Sequence, residues 1–404
     1  MNILFITTAF PEDLNGHSNI YVDLMNEFKR NGHSVYVITA RERRYKKPTE
    51  YINVDGLNIL KVRTGNVHKT NFIEKGIATI LIEYQYIRAI NKYFNEVKFD
   101  LIIYATPPIN FVKVIKFLKI RDKAKTYLLL KDIFPQNAVD LGIIKKNGIL
   151  YKYYRKKEIE LYKISDYIGC MSPKNVEYVI QHNSYLDPKR VEVCPNSIKI
   201  SKYEIVDESL KAEIRKKYQL PVNSKIFVYG GNLGKPQGID FLLDIIMANS
   251  KREDVFFLIV GSGTEYKRVE KFINENKIEN AKIYPYMKQK EYNNLLKGCD
   301  AGLVFLDKRF TIPNFPSRIL SYMEVGLPII AATDKNTDLK DIIREGNFGF
   351  WCESGDLESF NKIIDLIIKD DELRKTMGFN ARRYLEENYS VEDTYKIIMH
   401  HFNE

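Results

Sequence analysis

Two short stretches in the second half of this 404-residue chain carry side chains suited to holding an anion. The first, Gly230-Gly-Asn-Leu-Gly-Lys-Pro-Gln-Gly238, sets four glycines, the amides Asn232 and Gln237 and the cation Lys235 between a β-type run, Lys225 to Tyr229, and a helical pattern. At such a junction the free N–H groups and the helix dipole favour a phosphate, and a glycine such as Gly231 lets it come close to the backbone. The second stretch runs from Thr311 to Met323. Pro316 suits the first position of a helix, which puts Ser317 and Arg318 in its first turn. An arginine there opposes the dipole unless an anion answers it. Ser321, four residues after Ser317, falls on the same helical face and can reach a sugar hydroxyl. A third stretch, Lys131-Asp132, follows the β-type run Thr126 to Leu130. Asp132 is read either as the group that takes the proton of an attacking hydroxyl or as a helix cap before Ile133. Gly16 and His17 occupy the turn after the first apolar run, His17 either facing a cleft or exposed in a loop.

These residues need elements to hold them. β-branched runs alternate with amphipathic ones at Ile3–Thr7, Val35–Thr39, Leu101–Ala105, Thr126–Leu130, Tyr167–Met171 and Val191–Cys194, with a helix over 18–30 that Gly32 closes. The alternation restarts at Lys225 and continues with strands at Val255–Val260, Ala281–Tyr284, Ala301–Leu306 and Pro328–Ala332. Two doubly wound α/β domains are expected, over 1–200 and 201–387, with Ile198–Asn223 as linker and a helix within 388–404 crossing back to the first. Ligands in such sheets bind beyond the carboxyl ends of the strands, where the three stretches lie.

Several chemistries are disfavoured. The chain has no G-x-x-x-x-G-K-[ST], H-E-x-x-H, G-x-S-x-G or D-x-D, and Gly261-Ser-Gly263 lacks the third glycine of a dinucleotide fingerprint because Tyr266 stands there. A bound diphosphate must then be neutralised by Lys, Arg and N–H groups, with no metal and no cofactor. The four cysteines are scattered singly and are read as small buried hydrophobes. The greasiest stretch, Ile77 to Phe94, is interrupted by Glu83, Arg88 and Lys92, against a spanning helix. With no basic segment ahead of the first apolar run, a cytoplasmic protein is expected.

Charge is unevenly spread. Residues 1–200 hold 32 Lys and Arg against 20 Asp and Glu, and residues 201–404 hold 30 against 32, so the whole net +10 sits in the first half. That half is expected to meet a polyanion: nucleic acid, an anionic membrane or a phosphorylated substrate. Lys113, Lys116, Lys119 and Arg121 interleave with apolar residues over 109–121, and Arg43 and Arg44 belong to a cluster over 41–47. Both are read as contacts to an acceptor or a membrane, against a core-facing helix with a solvated lysine face.

Four motifs in order, Tyr104-Ala-Thr-Pro-Pro, Lys131-Asp-Ile-Phe-Pro-Gln-Asn, Tyr229-Gly-Gly-Asn-Leu-Gly-Lys-Pro-Gln-Gly and Phe315-Pro-Ser-Arg, resemble retaining glycosyltransferases of family 4, in the branch of fucosamine-type transferases of O-antigen and capsule assembly. The resemblance implies a GT-B fold of two facing Rossmann-like domains, the first binding acceptor and the second the nucleotide sugar. It further implies a UDP-sugar donor of N-acetyl amino sugar type, a polyprenyl-diphosphate-linked glycan acceptor, and a peripheral place on the inner face of the plasma membrane. Two glutamates eight apart are usual in the family, and Pro313 and Ser321 stand at those positions here. The family's diphosphate-holding Arg and Lys are matched by Asn232 and Gln237, which moves the cationic role to Lys235 and Arg318. A sugar-nucleotide 2-epimerase shares the architecture and is the alternative. A nucleic-acid-binding protein has only the basic charge in its favour, with no zinc finger, RNP-type strand or zipper.

Overall fold

The computed structural model describes residues 1–8, 10–11, 19–67, 70, 72–204 and 206–402. The chain divides into two compact units, one formed by Met1–Asn196 with Val391–Glu404 and the other by Ser197–Ser390.

In the first unit the elements are β1 (Asn2–Ile6), α1 (Ile20–Arg30), β2 (Ser34–Glu42), β3 (Glu50–Val54), β4 (Leu57–Thr64), α2 (Phe72–Tyr93), β5 (Leu101–Ala105), α3 (Val112–Asp122), β6 (Lys125–Leu130), α4 (Gln136–Asp140), α5 (Ile149–Ile164), β7 (Tyr167–Cys170), α6 (Pro173–His182) and β8 (Val191–Val193). They build a sheet in the order β3-β4-β2-β1-β5-β6-β7-β8. Among the described residues, only β3 and β4 pair antiparallel. Their connection is Asp55-Gly56, both at positive φ, the twist that a two-residue hairpin requires. The central strands are aliphatic along their length because helices cover both faces of a parallel sheet.

The second unit holds α7 (Glu208–Lys217), β9 (Lys225–Asn232), α8 (Ile239–Ala248), β10 (Val255–Ser262), α9 (Tyr266–Glu275), β11 (Ala281–Tyr284), α10 (Gln289–Leu296), β12 (Ala301–Phe305), α11 (Ile319–Glu324), β13 (Ile329–Thr333), α12 (Leu339–Gly346), β14 (Gly349–Glu353), α13 (Leu357–Lys369) and α14 (Asp371–Asn388). Its sheet is parallel throughout, in the order β11-β10-β9-β12-β13-β14. The core under it joins Phe227, Tyr229, Phe257 and Phe305 to Phe360 and Ile364 of α13. After this unit the chain returns: α15 (Val391–Met399) buries Val391, Ile398 and Met399 in the core of the first unit, with the Tyr395 ring edge-on to Phe28 at 5.0 Å.

Each sheet has one place where successive strands stop adding to one side and start on the other. In the first it lies between β1 and β5, in the second between β9 and β12. The crevice at such a reversal is where a doubly wound sheet takes its ligand.

Candidate functional site

At the reversal in the second unit, the loops leaving β9 and β12 run side by side, the Asp307 N–H donating to the Pro236 carbonyl at 3.0 Å. One side chain ties both strand ends: the Tyr322 hydroxyl of α11 donates to the Leu303 carbonyl at 3.2 Å and accepts the Gly230 N–H at 2.9 Å. Glycine at 230 is a steric need, since a Cβ there would stand 1.7 Å from the Tyr292 hydroxyl. Gly238, at φ +56°, leads into α8 where a Cβ would lie 2.9 Å from the Leu306 carbonyl oxygen. The loop is held further by backbone bonds from Leu233 N–H to Ser262 and from Glu265 N–H to Leu233, both 2.9 Å. Gly261-Ser-Gly263 belongs to this bracing, because a Cβ on Gly261 would meet the Gly231 carbonyl oxygen at 1.9 Å.

Arg318 departs from its expected position. Ser317 and Arg318 form a turn, closed by the Leu320 N–H on the Ser317 carbonyl at 3.2 Å, and α11 begins only at Ile319 with Arg318 as its cap residue. Pro316 is therefore not a first helical position, and Ser317 and Arg318 are outside the first turn. The Arg318 side chain lies over the Tyr229 ring, 4.4 Å from guanidinium carbon to centroid, and its Nη2 donates to the Gln237 side-chain oxygen. Its Nη1 is buried and has no acceptor among the described residues. Buried donors are normally satisfied, so this nitrogen, beside the exposed Gly231 at φ +118°, is a donor free to take an anion. With its oxygen spent on Arg318, Gln237 offers a ligand only its amide donor. Lys235 and Asn232 are exposed on the same loop. Ser321 is engaged by Gln289 of α10, whose amide donates to its hydroxyl at 3.1 Å and to Asn293 at 2.7 Å.

The structure adds Tyr229, Tyr322, Tyr292 and Gln289 to the site. Tyr229, an aromatic directly before two glycines, was a visible signal. Nothing local distinguishes Tyr322 or Gln289 from packing residues.

In the first unit, Asp132 follows β6. The Thr106 hydroxyl, at the end of β5, accepts the Lys131 N–H and donates to the Asp132 carbonyl, both at 3.1 Å, joining the two strand ends. Burial lifts the Asp132 carboxyl to about 6, against the pull of the Asn137 amide, which donates to Oδ1 at 2.7 Å. A carboxyl that titrates near neutrality can take up and return a proton. Asp132 caps no helix: α4 starts at Gln136, after Pro135. The Lys131 amine turns inward to the Cys194 carbonyl at 3.2 Å, and burial lowers it to about 8. Gly16 and His17 lie outside the described residues.

The basic clusters are largely answered within the unit. Arg43 pairs with Glu74 at 2.7 Å and Arg44 with Glu42 at 2.6 Å. Lys119 pairs with Asp166 at 2.8 Å, and Arg121 with Asp122 at 2.7 Å. Lys113 lies over the Tyr84 ring, while Lys116 is exposed. Helix α3 starts at Val112, and its apolar positions Val114, Ile115 and Leu118 are fully buried in the protein. Those positions face the protein, as in the core-facing alternative, while Lys113, Lys116 and Ile120 stay at the surface. No described helix is long and apolar enough to cross a membrane. All four cysteines are buried and unpaired.

Known families match both units. The model of Glycosyltransferase Family 4 matches residues 14–202, and that of Glycosyl transferases group 1 matches residues 211–384. The "Probable glycosyltransferase WbjE" of Pseudomonas aeruginosa is 26% identical over 295 residues, 72% of this chain and 71% of that protein. The capsular polysaccharide biosynthesis glycosyltransferase CapM of Staphylococcus aureus is 26% identical over 203 residues, 48% of this chain and 49% of its own. In fold, the chain is similar to Anabaena HepE solved with UDP-glucose, with a TM-score of 0.71 and 16% identity over 99% of each chain. The chain is a glycosyltransferase of GT-B fold, a family 4 domain followed by a group 1 domain, with relatives in capsule and polysaccharide biosynthesis.

Proposed function

We propose that this glycosyltransferase moves an N-acetyl amino sugar, such as N-acetylfucosamine, from a UDP-sugar to a glycan carried on a polyprenyl diphosphate, with retention of anomeric configuration. The product belongs to assembly of a bacterial O-antigen or capsule, and the enzyme works peripherally on the inner face of the plasma membrane. The Ser197–Ser390 unit takes the donor and the Met1–Asn196 unit the acceptor. One observation carries this reading: Arg318 lies over Tyr229, bonded to Gln237, with a buried, unanswered Nη1 at the β9/β12 reversal. A planar donor fixed in that way suits a diphosphate, whose charge grows as the sugar leaves, and electrostatic help aimed at that charge lowers the barrier. Lys235, Asn232, Gln237 and the backbone at Gly231 supply the remaining donors, so no metal is required. Asp132, poised near neutrality, accepts the proton of the incoming hydroxyl. The neighbour solved with UDP-glucose and the relative named for capsule synthesis support the choice of donor and product.

The test is transfer from UDP-N-acetyl amino sugars to a synthetic polyprenyl-diphosphate glycan in excess EDTA, with the product anomer read by NMR. Activity in EDTA and an unchanged anomer are expected. Arg318→Ala should lower kcat/KM by about 10²- to 10³-fold and abolish most of the UDP-induced thermal stabilisation. Full activity in Arg318→Ala would overturn the donor site; activity that vanishes in EDTA and returns with Mg or Mn would overturn the metal-free mechanism.

A further inference from the structure

Helix α2 is apolar on both faces. Ala78, Ile82, Tyr86, Ala89 and Ile90 are buried, yet Ile77, Ile80, Leu81 and Tyr84 are 56, 54, 45 and 54% exposed. The exposed four follow at i, i+3, i+4 and i+7, so they form one stripe along the helix. A helix that is hydrophobic all round belongs under a cover, and an exposed apolar patch of this kind marks an interaction surface.

The stripe does not end with α2. Helix α3 packs against both α2 and α5. Its Lys113 amine reaches the Tyr84 hydroxyl at 2.6 Å and also feels the Tyr153 phenol of α5. Tyr153 is exposed, and one turn earlier on α5 stand Ile149 and Leu150, 88 and 60% exposed. The two helices thus present a joined apolar ridge with Lys113 at the junction.

Charge says what covers it. From Leu141 to Lys157 the chain carries Lys145, Lys146, Lys152, Arg155, Lys156 and Lys157 and no carboxylate. Arg155 and Lys157 are paired with Glu158 and Glu160. Lys145, Lys146, Lys152 and Lys156 are exposed, with no ion pair among the described residues. Apolar residues flanked by unanswered lysines match a bilayer with anionic headgroups, whose tails take the ridge while its phosphates take the cations.

We propose that the α2–α5 ridge is the surface by which the first unit lies on an anionic lipid bilayer. Ile77, Ile80, Leu81, Ile149 and Leu150 enter the headgroup boundary, and the four lysines meet lipid phosphates. Tyr84 and Tyr153 sit where an amphipathic ring is at home, at the interface. This rests on the reading that the acceptor is lipid-borne, and it moves the contact from α3 to the helices on either side.

The test is sedimentation of the full chain with vesicles of phosphatidylcholine, alone and with phosphatidylglycerol. Binding to the anionic vesicles only, weakened by salt, is expected. Ile77→Ser/Leu81→Ser and Ile149→Ser/Leu150→Ser should each lower the partition coefficient by about tenfold or more, as should replacing the four lysines with glutamate. All of these positions are exposed, and an unchanged thermal midpoint and UDP response will show that each variant is folded. Wild-type binding in these variants, no binding to anionic vesicles, or a dimer that the Ser variants dissociate would overturn the proposal. Transfer is scored separately in detergent. Vesicle binding without transfer to a lipid acceptor leaves the surface standing and removes the function; transfer without vesicle binding does the reverse.

Discussion

At the scale of single residues, the Gly230–Gly238 and Thr311–Met323 stretches stood out because glycine, proline and arginine leave marks in a sequence that their environments explain. The Gly230–Gly238 loop announced itself through four glycines, and the structure accounts for Gly230 and Gly238 by the side chain or carbonyl each would strike. What could not be read was direction. Arg318 was placed inside a helix, and only the turn at 317–318 and the Tyr229 ring make it a cap residue turned back over the sheet. Lys131 and Asp132 were adjacent in sequence, yet one amine points to a backbone carbonyl and the other carboxyl is left near neutrality. That carboxyl gives a pH-dependent prediction. Burial raises Asp132 from the ordinary range near 4 to about 6. Between those values the unfolded chain has released the proton while the native state keeps it, so stability falls as pH rises and the penalty is complete above pH 6. Asp132→Asn should therefore gain on wild type between pH 4 and pH 7.5, by roughly 2 kcal/mol, in urea unfolding at both values. A difference that does not change with pH would mean that the carboxyl ionises as an exposed one does.

At the scale of elements, the strands found from sequence were mostly those of the buried parallel ladders, where aliphatic runs have no competing explanation, together with the edge strands β8 and β11. Those missed are β3, β4 and β14, at or next to the other edges. β3 and β4 are part-polar, and their clearest sign was the Asp55-Gly56 turn rather than their own residues. β14, Gly-Phe-Trp-Cys-Glu, is half-buried at the sheet's rim and mixes residue types. Helix α3 was left between two readings, because a count of apolar and basic positions cannot say which face the protein has already used. The return of α15 was foreseen and rests on a few buried side chains. Ile398→Ala removes a fully buried side chain from the first unit's core and should cost about 2 to 4 kcal/mol, lowering that unit's thermal midpoint. A loss within a few tenths of a kcal/mol would mean that α15 is only loosely docked.

For the molecule as a whole, the restart of the strand–helix pattern marked two units, while the exact seams depended on contacts. The first unit is made from two pieces of chain and the second from one, Ser197–Ser390. A fragment spanning 197–390 carries its whole sheet and the Arg318 site, and it should unfold cooperatively and keep its response to UDP. A fragment ending at residue 196 lacks Val391, Ile398 and Met399 and should melt well below the intact first unit, as differential scanning calorimetry of the two fragments would register. A fragment 197–390 without a melting transition would show that the second unit does not stand alone.

The divided first unit also has a consequence for how the protein is made. A ribosome delivers the sheet of the first unit early, but its last helix only after the second unit has emerged. The earlier sheet must wait with the apolar seat of Val391 and Ile398 unfilled, while the later unit can close as soon as it leaves the exit tunnel. The part synthesised second is thus the part able to finish first, and during that interval the exposed apolar surface of the amino-terminal half is the one open to misassociation.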